Sequence, residues 1–245
     1  MSPLRRFTWA GCTEVYTERP AQPRAGTVWT VSNGIFPSNC YLCASGVSNE
    51  CFIVDPGLDA APIEAALAEL HLTPRAVLCT HGHFDHTGTA AHFQKQYGCS
   101  VHLHERDLKT LRSSNFLLMA FNISARIHMP EVQPVTDAHP LVRIGNVSVR
   151  FHALPGHTPG SCAIEYGDSL YTGDTLYRHG VGLSKLPGED AKQLRHSIQS
   201  IWSRFSDDTM VRPGHGESAT FGWIKQNNTA LLSLLQSVPS ILAAP

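Results

Sequence analysis

The sequence predicts an α/β domain built in layers, on two observations. Short apolar runs of strand length alternate with helical stretches along most of the chain, and residues capable of chemistry recur just after those runs. In order, Thr27 to Ser32, Asn39 to Ala44 and Glu50 to Val54 read as β-strands, the last closed by the turn Asp55-Pro56-Gly57. Pro62 to Leu70 has helical periodicity with proline near its start, where a missing N–H does no harm. Ala76 to Cys79 reads as a strand, Thr87 to Tyr97 as a helix and Ser100 to Leu103 as a strand. Strands then cluster between Val142 and Thr172. Ala191 to Phe205 follows as a helix, Thr209 to Arg212 as a strand and Gly222 to Val238 as a closing helix. No solenoid-length repeat or low-complexity linker interrupts this order.

Composition points to one domain. With 245 residues and 42% hydrophobic content the chain can fill a single core, expected over 27–238, with a Pro/Arg-containing leader over 1–26 and a small-residue tail over 239–245. A formal net charge of −1 argues against nucleic acid or an anionic membrane as partner. The segment Met1 to Trp9 lacks the apolar region of a secretion signal, and no stretch approaches membrane-spanning length. The seven cysteines are an odd set in mostly apolar contexts, and Cys40 and Cys43, at i and i+3, would face opposite sides of a strand. Buried reduced thiols and a cytoplasmic location are the expectation.

The densest signal is Thr80-His81-Gly82-His83-Phe84-Asp85-His86-Thr87-Gly88, directly after the strand-like Ala76 to Cys79. Three imidazoles and one carboxylate within six positions exceed what a solvated loop needs and match the chemistry of a metal site. Side chains at i and i+2 of an extended segment share a side, so His81 and His83 can hold one ion while Asp85 and His86, where the chain turns, face a second. Further candidates stand at strand exits on stiff turns: His157 in Pro155-Gly156-His157-Thr158-Pro159-Gly160, Asp174 in Gly173-Asp174-Thr175, and His215 in Pro213-Gly214-His215-Gly216. The other nine histidines, among them His179 near Asp174, have no such setting and are read as surface or structural residues.

Taken in this order, the motifs His-x-His-x-Asp-His-x-Gly, Pro-Gly-His-Thr-Pro-Gly, Gly-Asp and Pro-Gly-His-Gly resemble those of the metallo-β-lactamase-fold hydrolases, over about residues 27 to 230. Within that family the chain is most similar to the glyoxalase II-like thioesterases of the short single-domain type, as Ser38 to Leu42, Val54 to Gly57 and Gly173 to Tyr177 followed by Gly180-Val181-Gly182 indicate. The resemblance implies a four-layer αββα sandwich and two divalent metal ions, with zinc the default and iron or manganese acceptable to the same ligands. By motif position, His81, His83 and His157 would hold the first ion, Asp85, His86 and His215 the second, and Asp174 would bridge them.

Two such ions imply hydrolysis by a metal-bridging hydroxide, since even one zinc lowers the pKa of its water from about 15.7 to about 7. Asp85 would be catalytic as well as a ligand, orienting the attack. A thiol of pKa about 8.5 leaves without a dedicated acid, which favours a thioester, with lactones next and amides last. The implied substrate is a small-molecule thioester, first an S-2-hydroxyacylglutathione such as S-lactoylglutathione. The alternatives are a more apolar acyl thioester, a lactone, or a metal-binding regulator without catalysis. An Asp at position 174 departs from true metallo-β-lactamases, so little β-lactam hydrolysis is expected. The family's glutathione-binding cation is replaced by Leu183, leaving Arg178 and Lys185, with Tyr177 beside the metal motif, as candidate substrate contacts; an acidic residue usual after the last motif is replaced by Ile224. Finally, Asn115 to Phe121 is apolar almost all round after the basic Lys109 to Arg112, and reads either as a core helix or as a cap over the cleft for an apolar acyl chain.

Overall fold

The computed structural model describes residues 24–184 and 186–236 in full and the backbone of 5–9 and 12–16. Lys185, the expected tail 239–245 and the rest of the expected leader before residue 24 lie outside the described residues. Within that leader, β1 (Arg5–Trp9) and β2 (Cys12–Tyr16) pair as an antiparallel hairpin. The first half of the domain runs β3 (Val28–Ser32), β4 (Asn39–Ala44), β5 (Glu50–Val54), α1 (Ala60–Glu69), β6 (Thr73–Leu78), α2 (Phe84–Thr87), α3 (Ala90–Tyr97), β7 (Ser100–His104), α4 (Leu108–Ala120) and β8 (Val132–Val135). The second runs β9 (Leu141–Ile144), β10 (Val147–Ala153), β11 (Cys162–Tyr166), β12 (Ser169–Gly173), β13 (Leu176–Tyr177), β14 (Gly180–Val181), α5 (Ala191–Trp202), β15 (Met210–Pro213), β16 (Ala219–Thr220), α6 (Phe221–Asn227) and α7 (Thr229–Gln236).

Each half supplies one six-stranded sheet, in the orders β3-β4-β5-β6-β7-β8 and β16-β15-β12-β11-β10-β9. Three apolar clusters make the four layers. Tyr41, Cys43, Phe52, Val54 and Leu78 meet Val149, Phe151, Ile164 and Tyr171 between the sheets. The outer face of the first sheet packs Leu42, Ile53 and Val77 against Ile63 and Leu67 of α1, Phe93 of α3 and Leu111 of α4. The outer face of the second packs Ala163, Leu170 and Val211 against α5 to α7 through Leu194, Ile198, Ile224 and Leu231. The αββα sandwich is therefore a direct consequence of strands buried on both faces: along β4, Cys40 and Leu42 go to one core and Tyr41 and Cys43 to the other. Cys40, Cys43, Cys51, Cys79, Cys99 and Cys162 are buried thiols outside any disulfide, and among the described residues no helix is long and apolar enough to cross a membrane.

The parallel pairs β5–β6, β6–β7 and β12–β15 need crossovers. The last makes β12 and β15 end on the same side of their sheet, where the residues that follow them meet those that follow β6.

Three local expectations are corrected. The helix expected over 87–97 is two helices, because Thr89 turns aside to bond Gly57 O (2.7 Å, through its N–H) and Pro56 O (2.9 Å, through its hydroxyl). β8, which carries Pro134 at the edge of its sheet, is a strand where none is expected. The closing helix is broken at Asn228. This buried amide donates to Tyr177 O (3.0 Å) and Gly180 O (2.9 Å) and accepts from Leu231 N (3.0 Å), capping α7 and tying it to the β13–β14 hairpin. Asn228→Ala strands two buried carbonyls and removes the cap, so a loss of about 2 kcal/mol or more in unfolding free energy is expected from urea titration. A variant within 0.5 kcal/mol of the parent, on the order of ordinary surface changes, would contradict this account.

Candidate metal centre

The loop after β6 is folded by its own polar groups. Thr80 donates from its N–H and hydroxyl to the two carboxylate oxygens of Asp55 (2.8 and 2.7 Å), which stands on the turn after β5 with φ 53°. Asp55 also meets His86 Nδ1 at 3.0 Å, so one buried carboxylate orders both ends of the motif. His83 then starts α2, which carries Asp85 and His86 on its only turn. The turn after β10 contributes His157, the end of β12 contributes Asp174, and the end of β15 contributes His215.

All seven candidate ligands converge at the rim between the two sheets, six buried and His215 partly so. They form two groups. In the first, His83 Nδ1 lies 3.2 Å from His81 Nε2 and 3.0 Å from His157 Nε2. In the second, His215 Nε2 lies 3.3 Å from Asp85 Oδ2, and His86 Nε2 lies 3.5 Å from the same atom. Asp174 belongs to both: its Oδ2 is 3.6 Å from His157 Nε2 and 3.3 Å from His215 Nε2, while Oδ1 is 3.3 Å from His86 Nε2. Donor atoms on a tetrahedron of bonds near 2.1 Å stand about 3.4 Å apart, so this spacing suits a first-row cation in each group. His86 Nε2 and Asp174 Oδ1 are buried without a hydrogen-bond partner, as atoms reserved for a cation are. The site thus fits two metal ions by the chemistry of its donors.

A second tier of contacts aims these side chains. Gly182 O accepts from or faces His157 Nδ1 at 3.1 Å, Pro37 O faces His215 Nδ1 at 2.5 Å, and Thr80 Oγ1 lies 3.1 Å from His81 Nδ1. Asn39 and Tyr41 hold the His215 turn by donating to Pro213 O (3.0 and 2.6 Å), and Ser38 Oγ donates to Asp85 O at 2.8 Å. Gly214 has no alternative residue, because a Cβ there would collide with Asp174 Oδ1 and His86 Cε1.

Asp107 was not foreseen. Fully buried, it accepts from Gly82 N (2.7 Å), between His81 and His83, and from Thr158 Oγ1 (2.7 Å) and Gly160 N (2.8 Å), just past His157. It therefore clamps the two loops of the three-histidine group together, and no local pattern around Glu105-Arg106-Asp107 marks it. Asp55 stands in a segment the sequence singles out, without revealing that it orients His86.

Electrostatics divides the two groups. Burial, together with the neighbouring imidazoles, pushes His81 well below the ordinary histidine range and His83 down to about 4, the neutral state that binds cations. In the other group burial is opposed by carboxylates: hydrogen bonds to Asp174 and Asp85 push His215 up to about 10, and Asp85, Asp174 and Asp55 raise His86. Burial by itself would raise Asp85 and Asp174, yet the His86 charge and the hydrogen bonds from His215 hold both carboxyls below their usual range. Protons thus balance the carboxylates where a metal would.

Around the rim, Tyr177 is half-buried, with its ring 6.0 Å from that of His215 and its phenol hydrogen-bonded to Asp174; burial and that carboxylate keep it protonated. Arg178 is engaged, paired with Glu217 and lying 4.6 Å over the Trp223 ring. Leu183 packs into the core beside α5, as does Ile224. Phe84 is buried, in edge contact with Phe36 at 5.2 Å. None of the other nine histidines joins either ligand group among the described residues; His92, His104 and His152 pair with Glu64, Asp137 and Glu165, and His179 lies edge-on to Trp223.

Two measurements follow. Because His215 must shed a proton that it keeps to about pH 10 without metal, metal uptake near pH 7 should release protons and tighten as pH rises; calorimetry in buffers of different ionisation enthalpy reads this, and uptake without proton release would contradict it. His83 gives the opposite end of the scale. Between its ordinary 6.5 and about 4 the unfolded chain binds a proton that the folded one refuses, so metal-free stability should fall as pH drops through that window. Separately, Asp107→Ala leaves three donors unmet and is expected to cost about 3 kcal/mol of stability and to reduce metal content, measured by denaturation and elemental analysis. Retention of both would remove the clamp.

Comparison with known proteins agrees with this geometry. The chain is 29% identical to the hydroxyacylglutathione hydrolase GloC of Haemophilus influenzae over 208 residues, covering 81% of this chain and 94% of that one. The di-iron-bound form of TTHA1623 superposes with a TM-score of 0.74 at 30% identity, over 82% of this chain and 98% of its own. The B3 metallo-beta-lactamase BLEG-1 superposes with a TM-score of 0.77 at 28% identity, over 84% and 99%. Residues 33–215 match the description of the metallo-beta-lactamase superfamily, and with that match over most of its length the chain belongs to this superfamily of metal-dependent hydrolases.

Proposed function

We propose that this protein is a dinuclear-metal hydrolase of acyl thioesters, with S-2-hydroxyacylglutathiones such as S-lactoylglutathione as its first candidate substrates. More apolar acyl thioesters and lactones stand next. The observation that carries the two-metal reading is Asp174, whose carboxylate lies within 3.6 Å of ligand atoms in both groups. His81, His83 and His157 would hold one ion, Asp85, His86 and His215 the other, and Asp174 both. Zinc is the default occupant; iron has support from the di-iron form of TTHA1623, and manganese suits the same ligands. When bound, two divalent ions supply an acidified water and Lewis-acid polarisation of a carbonyl.

The remaining steps belong to side chains. Asp85, nearly buried between His86 and His215, is the catalytic carboxylate placed to accept a hydrogen bond from the attacking water and orient it. Tyr177 is kept protonated beside Asp174, and turning its single phenolic hydrogen from that carboxylate to the substrate oxygen would let it donate as negative charge develops there. A departing thiolate requires no proton at neutral pH, given thiol pKa values of about 8.5. Likeness to GloC supports the thioester reading. Arg178 would have to leave Glu217 to meet a glutathione carboxylate, and Lys185 is the other candidate for that role. Likeness to BLEG-1 favours β-lactams as the second reading, which Asp174 opposes.

The deciding experiment assays the metal-replete protein against S-lactoylglutathione, other acyl thioesters, lactones and β-lactams, with metals counted on the same sample. About two metals per chain, and thioesters turned over with the highest kcat/KM, are expected. A β-lactam or lactone as best substrate overturns the thioester reading, and bound metal without turnover of any class makes the protein a binding module. Asp174→Ala should bring the metal count below two and lower kcat by at least about a hundredfold, while unchanged activity would exclude the two-metal reading.

A further inference from the structure

Large apolar side chains are rarely left in water together without a ligand to cover them. Six stand exposed among the described residues, and four of these belong to the loop before β4 or to the C-terminal end of α4: Ile35 (53% exposed), Phe116 (69%), Met119 (74%) and Phe121 (45%). α4 is thus neither an ordinary core helix nor apolar on every face: Leu111, Ser114 and Leu118 face inward, and Phe116 and Met119 face solvent. Ring contacts tie this surface to the metal centre. Phe121, just past α4, lies 6.3 Å from Phe36 and 5.9 Å from Phe84. Phe36 in turn presents its edge to His215 at 6.4 Å, and Phe84 sits in the chain between His83 and Asp85. An unbroken aromatic path therefore leads from a candidate metal ligand to the exposed end of α4.

We propose that this path is an acyl-chain subsite: Phe36 and Phe121, backed by the buried Phe84, form its floor, Ile35 beside Phe36 extends it, and its occupant is an apolar acyl group longer than lactoyl. The inference rests on the thioester-hydrolase reading and changes its order of substrates, placing the more apolar acyl thioesters ahead of the lactoyl one. Continuity with His215 selects the occupant, since a chain lying on these rings keeps its carbonyl at the metal centre. The engagement of Arg178 by Glu217 and the packing of Leu183 into the core point the same way, because recognition then draws more on the acyl side than on charges of the thiol.

The test holds the thiol constant. Acetyl, lactoyl and octanoyl thioesters of glutathione are compared on the full, metal-replete chain and on Ile35→Ser, Phe121→Ser and the double variant. Full burial of a methylene is worth about fourfold, so on an open shelf a gain of about twofold per methylene makes octanoyl on the order of fiftyfold better than acetyl in kcat/KM. The double variant should lower the octanoyl-to-acetyl ratio at least tenfold while melting close to the parent temperature. Ile35 is 53% exposed, so its single variant serves if the double one fails to fold. Lactoyl preferred over octanoyl by the parent, or equal losses on both chain lengths in the variants, overturns the subsite while leaving thioester hydrolysis intact. No turnover of any thioester, with turnover of another class, instead removes the reading beneath it. Sedimentation at assay concentration and flotation with phosphatidylcholine vesicles test the other occupants. A dimer, or vesicle binding, that Phe121→Ser abolishes would assign the surface to a second copy or to lipid and overturn the proposal.

Discussion

Five imidazoles and three carboxylates, counting Asp55, are crowded at one rim of the sandwich, all but His215 with little access to water, and the surrounding structure is arranged around that cost. Asp174 concentrates the problem. It is buried, it lies near His86, His157 and His215 at once, and one of its oxygens has no hydrogen-bond donor. Protonated histidines can balance the carboxylates beside it, but His81 and His83 of the neighbouring group are pushed toward neutrality. A pair of cations satisfies both groups together, which protons do not.

Holding such a cluster requires that its backbone be rigid. The ligands stand on short turns after β6, β10, β12 and β15, whose strands are locked between helical layers, so each side chain is presented by a fixed chain end. Asp55 and Asp107 then work as internal ties. Asp55 joins Thr80 to His86, and Asp107 joins the His81–His83 loop to the turn carrying His157. Each satisfies backbone or side-chain donors that would otherwise be unmet at the centre of the site.

The rim around this centre is unequal. On one side Tyr177 supplies a protonated phenol and Arg178 is committed to Glu217 and Trp223. On the other, Phe36, Phe84 and Phe121 give an apolar wall that opens at α4. In the proposed reading this asymmetry would separate the reacting bond from the parts of a substrate that select it, with polar chemistry in the cleft and apolar recognition at its edge.

Much of the architecture was legible in the chain because burial writes a local pattern. Strands covered on both faces give apolar runs bounded by turns, as at Asn39 to Ala44 and Glu50 to Val54, and the ligand-type residues fall just after such runs. What was misread depended on distant partners. Thr89 leaves the helix for Pro56 and Gly57, and Asn228 breaks another helix for Tyr177 and Gly180. Asp107 bonds to Gly82, Thr158 and Gly160, between 25 and 53 residues away, so nothing beside it in sequence could reveal its role. Sequence alone determined the layered α/β body and the kinds of side chain available for metals, since periodicity and residue chemistry are local properties. The tertiary structure alone decided that Asp174 reaches both groups, that Asp107 clamps the two loops of the three-histidine group, that Arg178 is already engaged and that α4 turns phenylalanine outward, because each depends on which surfaces meet once the two sheets have packed.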